Sequence, residues 1–142
     1  MAAKVIDTFD SPAYKMNALR ELFKSIVLSV AVRNGDAHLK NFGLLYTTPQ
    51  TDDVRLSPLY DIVNTTSYLQ KDVLALKMAK TKSWPTRNTL IEFGRTHCKL
   101  DHPEQIINQI VEVVYAYVPQ IDPGAIWTQM KKQIGAGSYS IT

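Results

Sequence analysis

Asn34 to Asn41 reads N-G-D-A-H-L-K-N. Five of these eight residues can hold a proton, a metal or a phosphate, yet the stretch lies between two segments built to be buried. On its N-terminal side, Leu19, Leu22, Phe23, Ile26, Val27 and Val30 recur at intervals of mostly three and four, the stripe of a half-buried helix. Arg20, Glu21 and Lys24 fall on the opposite face. Asn34-Gly35 is expected to end this helix, since both residues tolerate positive φ. On the C-terminal side, Phe42 to Tyr46 and Val54 to Leu56 are short apolar runs. Thr47 to Asp53 between them, with Pro49 and Asp52-Asp53, marks a turn, so a hairpin with a long loop is expected. Pro58 breaks any strand.

Further from the loop, residues 1–14 show little periodicity. Residues 63–85 are irregular, with a possible short strand at Val73 to Met78. Thr86 suits the cap of a helix running to Cys98 and burying Leu90, Ile91 and Phe93. Asp101 and Glu104 have capping-box spacing ahead of a helix burying Ile106, Ile110, Val113, Val114 and Tyr117 and stopping at Pro119. Asp122-Pro123 opens a last helix with Ile126, Trp127, Met130 and Ile134 on its apolar face. Gly135 and Gly137 are expected to end it, leaving a mobile tail to Thr142. The expected core is Leu19, Phe23, Ile26, Leu90, Phe93, Ile110, Val114, Trp127 and Met130. The fold class is mainly α with one short β-hairpin, and residues 1–142 read as one domain.

Composition excludes several classes. The net charge of +3 is too small to argue for nucleic acid by itself. Cys98 is the only cysteine, so no disulfide framework or four-cysteine zinc site can form within the chain. No run of about 20 apolar residues would span a membrane, and no signal peptide opens the chain. A cytoplasmic protein is the simplest expectation.

The spacing within the loop points to chemistry. Phosphoryl transfer needs a carboxylate near the attacking hydroxyl and oxygen ligands for magnesium. In protein kinases the catalytic-loop carboxylate and the magnesium-binding Asn are five residues apart, as Asp36 and Asn41 are here. A second carboxylate should follow the hairpin, and Asp61 in P-L-Y-D-I is placed for that. Each residue alone has an ordinary explanation. Asp36 and Asn41 suit turns, His38 could bond backbone in a tight loop, Lys40 could be a solvated charge, and Asp61 could cap a turn after Pro58. The order of helix, D-x-H-x-x-N loop, hairpin and second Asp favours phosphotransfer.

N-G-D-A-H-L-K-N-F followed by L-S-P-L-Y-D-I resembles the C-terminal lobe of HipA-like serine/threonine kinases, the toxin half of bacterial toxin–antitoxin pairs. The likeness runs from about Leu19 to Ile134 and includes L-A-L-K-M-A-K. It implies a helical, protein-kinase-like C-lobe that uses ATP and Mg²⁺. Asp36 would be the general base, Asn41 and Asp61 the magnesium ligands and ATP contacts, and His38 a support for the loop. Lys40, inside the same loop, joins the catalytic and ATP-binding candidates. Asp61 is followed by Ile-Val and not by Phe-Gly. No G-x-G-x-x-G loop and no strand Lys for ATP phosphates occurs, so the nucleotide lobe is expected upstream of Met1. The isolated chain is then expected to be inactive. The implied partners are that N-terminal lobe, a protein substrate and an antitoxin, with no membrane.

Two other classes compete. Aminoglycoside and choline kinases carry a similar G-D-x-H-x-x-N loop, which Gly35 to Asn41 also fits. A non-catalytic interaction module is the third reading. Lys71 to Lys99 holds seven Lys or Arg against Asp72 and Glu92, a local +5. That is either a solvated face or a surface for phosphate, acidic protein or DNA, with Trp84 as a possible stacking partner.

Overall fold

The computed structural model describes residues 2–8, 11–48, 50–51, 53–78, 81–117 and 125–142, and the side chains of 125 and 126 are left aside. Pro49, Asp52, Lys80, Pro119, Asp122 and Pro123 lie outside the described residues, as does the side chain of Ile126. Five helices occur among them: α1 (Ala2–Ile6), α2 (Pro12–Ala31), α3 (Arg87–Thr96), α4 (Pro103–Tyr117) and α5 (Ala125–Tyr139). One antiparallel pair, β1 (Leu44–Leu45) and β2 (Arg55–Leu56), follows the loop, with Leu44 opposite Leu56 and Leu45 opposite Arg55. The expected hairpin is therefore present, but shorter. The expected strand at Val73 to Met78 is absent; Met78 makes an isolated bridge to Thr81, while Leu74 is buried.

The central element is α2, packed against α1, α4, α5 and β2. It starts seven residues before Leu19, at Pro12 after Ser11, a good first position because proline has no N–H to leave unpaired. Those early turns carry no apolar stripe, since Tyr14 and Met16 are exposed. Ala18, Leu19, Leu22, Phe23, Ile26, Val27, Val30 and Ala31 are buried. The Phe23 and Phe93 rings stack with centroids 6.5 Å apart.

The end of α2 differs from the expectation in an instructive way. Arg33, and not Gly35, takes the left-handed backbone, at φ 57°. Arg33 N–H bonds Val30 O at 3.2 Å and Asn34 N–H bonds Ser29 O at 2.8 Å, the paired closure that satisfies a helix's last carbonyls. Arg33 tolerates this because its neighbours hold it. Its guanidinium lies 4.7 Å from the Trp84 ring centre, and its carbonyl accepts from Thr65 N–H at 3.1 Å.

Thr86 caps α3, its hydroxyl accepting from Thr89 N–H at 3.3 Å. Leu90 is fully buried, with Ile91 and Phe93 partly so. α4 begins at Pro103, so His102 and not Asp101 precedes it. Its buried stripe centres on Ile107, Val111 and Val114, while Val113 and Tyr117 are exposed. At 100° per residue, that stripe lies about a quarter turn from the expected one. The expected core otherwise holds: Leu19, Phe23, Ile26, Leu90, Val114 and Trp127 are buried, and Phe93, Ile110 and Met130 pack against it half-buried.

The last helix continues through both glycines to Tyr139. A Cβ on Gly137 would collide with the Ala31 carbonyl oxygen and lie 2.9 Å from Val30 O, so glycine here allows α5 to press on the end of α2. The tail is anchored. Ile141 is completely buried, and its carbonyl accepts from Arg87 Nη1 at 2.9 Å, while Arg87 Nη2 bonds Asn108 Oδ1 at 2.8 Å.

Candidate functional site

The loop between α2 and β1 is fixed at its entry by buried polar groups. Asn34 is almost fully buried, and its Nδ2 donates to the Asp61 carbonyl at 3.3 Å. Gly35 N–H donates to Thr65 Oγ1 at 2.8 Å, and Gly35 O accepts from Ala75 N–H at 2.8 Å. A Cβ at Gly35 would overlap the Asp72 carboxylate and lie 2.8 Å from Thr65 Oγ1. A larger residue here would have to displace the Asp72 carboxylate and the Thr65 hydroxyl, so close approach and not positive φ favours glycine. Asn64, also buried, donates from Nδ2 to Val32 O at 2.7 Å, and its Oδ1 accepts from Ser67 N–H at 3.0 Å. The segment after the hairpin thus folds back as a brace on the end of α2.

This frame leaves Asp36 at the surface. Its Oδ1 lies 3.8 Å from His38 Nε2, too long for a direct hydrogen bond. His38 is half-buried, and its backbone N–H donates to Asn41 Oδ1 at 3.2 Å. Leu39 to Asn41 form one 3₁₀ turn, which carries the Asn41 side chain inward while the Lys40 side chain stays exposed. Lys40 enters the framework through its backbone: its carbonyl accepts from the Tyr60 hydroxyl at 2.5 Å.

Asn41 is buried, and its Nδ2 donates to Asp61 Oδ2 at 2.9 Å. Two residues 20 positions apart, Asn41 singled out by its interval from Asp36 and Asp61 by its place after the hairpin, therefore meet. Asp61 itself is exposed and takes a left-handed backbone at φ 57°, a region where Asp is enriched among non-glycine residues. Tyr60, one residue before it, ties this turn to the loop, and Asn34 ties it to α2. Asp36, His38, Asn41 and Asp61 thus belong to one framework, whereas the Lys40 side chain makes no hydrogen bond or ion pair among the described residues.

Sequence reasoning took Asn34 as a helix stop and gave Tyr60 and Thr65 no part. An amide directly after a buried helical run was the available signal for Asn34, because a buried amide must find partners. The bonds of Tyr60 and Thr65 leave no comparable trace. Trp84 faces inward: it stacks on Arg33 and donates from Nε1 to Asp72 O at 3.2 Å.

The donor set suits one kind of metal. Among the described residues, no group of three or more His, Cys, Asp and Glu side chains is placed to hold an ion. Asn41 and Asp61 offer side-chain oxygen donors. That suits Mg²⁺, which takes one or two carboxylates and draws further oxygens from phosphates and water.

Comparison with known proteins identifies the chain at the family level. Residues 1–120 match the family described as HipA-like C-terminal domain. A protein of Sinorhizobium fredii named "Putative kinase Y4dM" is 40% identical over 63 residues, covering 44% of this chain and 15% of that protein. A Haemophilus influenzae protein named "Putative kinase" is 37% identical over 49 residues, covering 34% of this chain and 14% of that one. The matched segment thus spans about one-seventh of the length of each relative. No solved structure matches. None of the described helices is long and apolar enough to cross a membrane. With its family match running from residue 1 through α4, the chain belongs to the HipA-like C-terminal domain family.

Proposed function

We propose that this chain carries the base and metal ligands of a serine/threonine protein kinase, acting with an ATP-binding lobe supplied by another part of the kinase. The observation that carries the reading is the 2.9 Å contact between Asn41 and Asp61, with exposed Asp36 at the entry of the same loop. In this reading the described helices form the lower lobe of a kinase-like fold. Magnesium-bound ATP supplies the transferred phosphoryl group, and Asn41 and Asp61 are the residues that would hold its metal. Asp36 orients the attacking hydroxyl and accepts its proton. His38 steadies Asp36 from 3.8 Å away, and Asn41 Oδ1, bonded to His38 N–H, links the base side of the loop to the metal side. Lys40, exposed at the surface, is available to the phosphates.

Exposed apolar side chains flank Asp61 on both sides in sequence: Leu44, Leu45 and Tyr46 on the hairpin, then Tyr60, Val63 and Tyr68. Such exposure supports a covering partner, and the ATP lobe is the partner proposed. The toxin half of a toxin–antitoxin pair, in the cytoplasm, is the setting proposed with it, on the family likeness.

The test is a phosphotransfer assay of a complete kinase containing this chain, with labelled ATP. Label on serine or threonine of a protein is the expected result. Label on an aminoglycoside or choline, with none on protein, would overturn it in favour of a small-molecule phosphotransferase.

A further inference from the structure

A cavity of about 750 Å³ is lined by His38 and its neighbours Leu39 and Lys40, together with residues of α1, α2 and α3. Its apolar lining includes Leu22, Ile26, Leu76, Met78 and Phe93. Its charged lining is lopsided: Lys4, Lys40 and Lys77 against the single acid Glu92. All four of these side chains are exposed. We propose that this cavity docks a segment of the protein substrate in which an apolar side chain is flanked by Asp or Glu. The proposal rests on the kinase reading above for the identity of the phosphorylated hydroxyl, and it adds the class of sequence that carries that hydroxyl.

Three observations support this occupant. The volume is that of a ligand-sized pocket, mostly apolar with a few polar groups to orient what enters. Lys4 and Lys77, beside the Lys40 already offered to the phosphates, complement carboxylates, and Glu92 alone does not cancel them. Position gives the third. His38 lines the cavity and its Nε2 lies 3.8 Å from Asp36 Oδ1, so the cavity adjoins the residue that neighbours the proposed base. An extended chain advances about 3.3 Å per residue. A hydroxyl presented to Asp36 therefore leaves a residue roughly two or three positions away at the cavity mouth.

The experiment measures binding of labelled peptides to the 142-residue chain by fluorescence anisotropy, at low and at moderate salt, without ATP. The first peptide carries Ser followed by Glu-Leu-Glu or Asp-Phe-Asp. The second replaces the acids with Gln or Asn, and the third replaces Leu or Phe with Gly. The first should bind saturably, and the second about tenfold more weakly at low salt. The third should bind more weakly still. Lys77→Glu should abolish the preference for the acidic peptide, and Thr96→Trp, on the exposed rim, should weaken all binding by obstructing the cavity. Equal affinity for acidic and neutral peptides, binding indifferent to Thr96→Trp, or no peptide binding at all would overturn the inference. Saturable binding of dodecanoate with no peptide binding would also overturn it, in favour of a small amphiphile. None of these results touches the phosphotransfer assay, so the docking inference can fail while the kinase reading stands.

Discussion

Asn41 is bonded at both ends of its amide, to His38 N–H through Oδ1 and to the Asp61 carboxylate through Nδ2. Asn41 would offer a cation only the remaining lone pair of a neutral amide oxygen, whereas Asp61 is an exposed carboxylate. Asp61→Ala should therefore weaken magnesium-dependent ATP binding more than Asn41→Ala, on the order of tenfold more, because losing a charge beside a dication outweighs losing a neutral dipole. Titration of Mg²⁺ against ATP binding in the complete kinase checks the order. Unchanged metal dependence in both variants would make the pair structural. Gly35 invites a different substitution. The Asp72 carboxylate and Thr65 Oγ1 occupy the space a Cβ needs, so Gly35→Ala should destabilise the chain by about 1–3 kcal/mol. Urea unfolding of the isolated chain measures that; an unchanged midpoint would mean that the brace yields without penalty.

The hairpin and the last helix each give a prediction at the level of the element. Asp53 closes the hairpin loop by accepting from Thr47 N–H at 3.1 Å with both carboxylate oxygens, and from the hydroxyls of Thr47 and Thr51. The Thr47 hydroxyl bond, the Thr51 hydroxyl bond and then the Thr47 amide hold its carboxyl well down, at about 2. A carboxyl lowered in the folded state stabilises that state above its unfolded value of about 3.9, and the contribution fades as pH falls toward 2. Hydrogen exchange at the Thr47 amide, corrected for intrinsic rate, should thus stay slow down to about pH 4 and lose protection below it. Asp53→Asn should remove the pH dependence, and a flat profile in the wild type would contradict the assignment. In α5 the two glycines should behave oppositely. Nothing lies within 4 Å of a Cβ on Gly135, whereas one on Gly137 meets the Ala31 carbonyl. Gly135→Ala should stabilise by up to about 1 kcal/mol through helix propensity, and Gly137→Ala should destabilise by about 1–3 kcal/mol by forcing α5 off α2. Equal effects in thermal melts would show that the α2–α5 crossing is not tight.

Across the whole molecule, legibility followed amphipathicity and spacing. The middle of α2, the Thr86 cap and the hairpin were readable because one face is apolar or one residue type suits one position. Asp36, His38, Asn41 and Asp61 were singled out by residue type, interval and order, and their contacts join them in one framework. The first turns of α2 were not readable, since Tyr14 and Met16 face solvent. The face of α4 was ambiguous because Val113 and Tyr117 extend one apolar stripe while Ile107 and Val111 extend another, and only packing against α2, α3 and α5 chooses between them. The tail was misread because a glycine that ends an isolated helix can also be the contact that seats it. Cys98 reports on the assembled core: it is fully buried, and burial pushes its thiol up to about 12. A thiol reagent at neutral pH should therefore label it only at the rate of opening, and immediate labelling of the native chain would contradict the packing around α3 and α4. The chain alone should fold yet turn over no ATP, because positioning by both lobes does most of the work in phosphoryl transfer. The most direct test of the central claim is phosphotransfer by the complete kinase carrying Asp36→Asn, a nearly isosteric change at an exposed loop position. Loss of protein phosphorylation by a factor of about 10² or more, with the thermal melt unchanged, is the predicted result; phosphorylation at the wild-type rate would contradict Asp36 as the base.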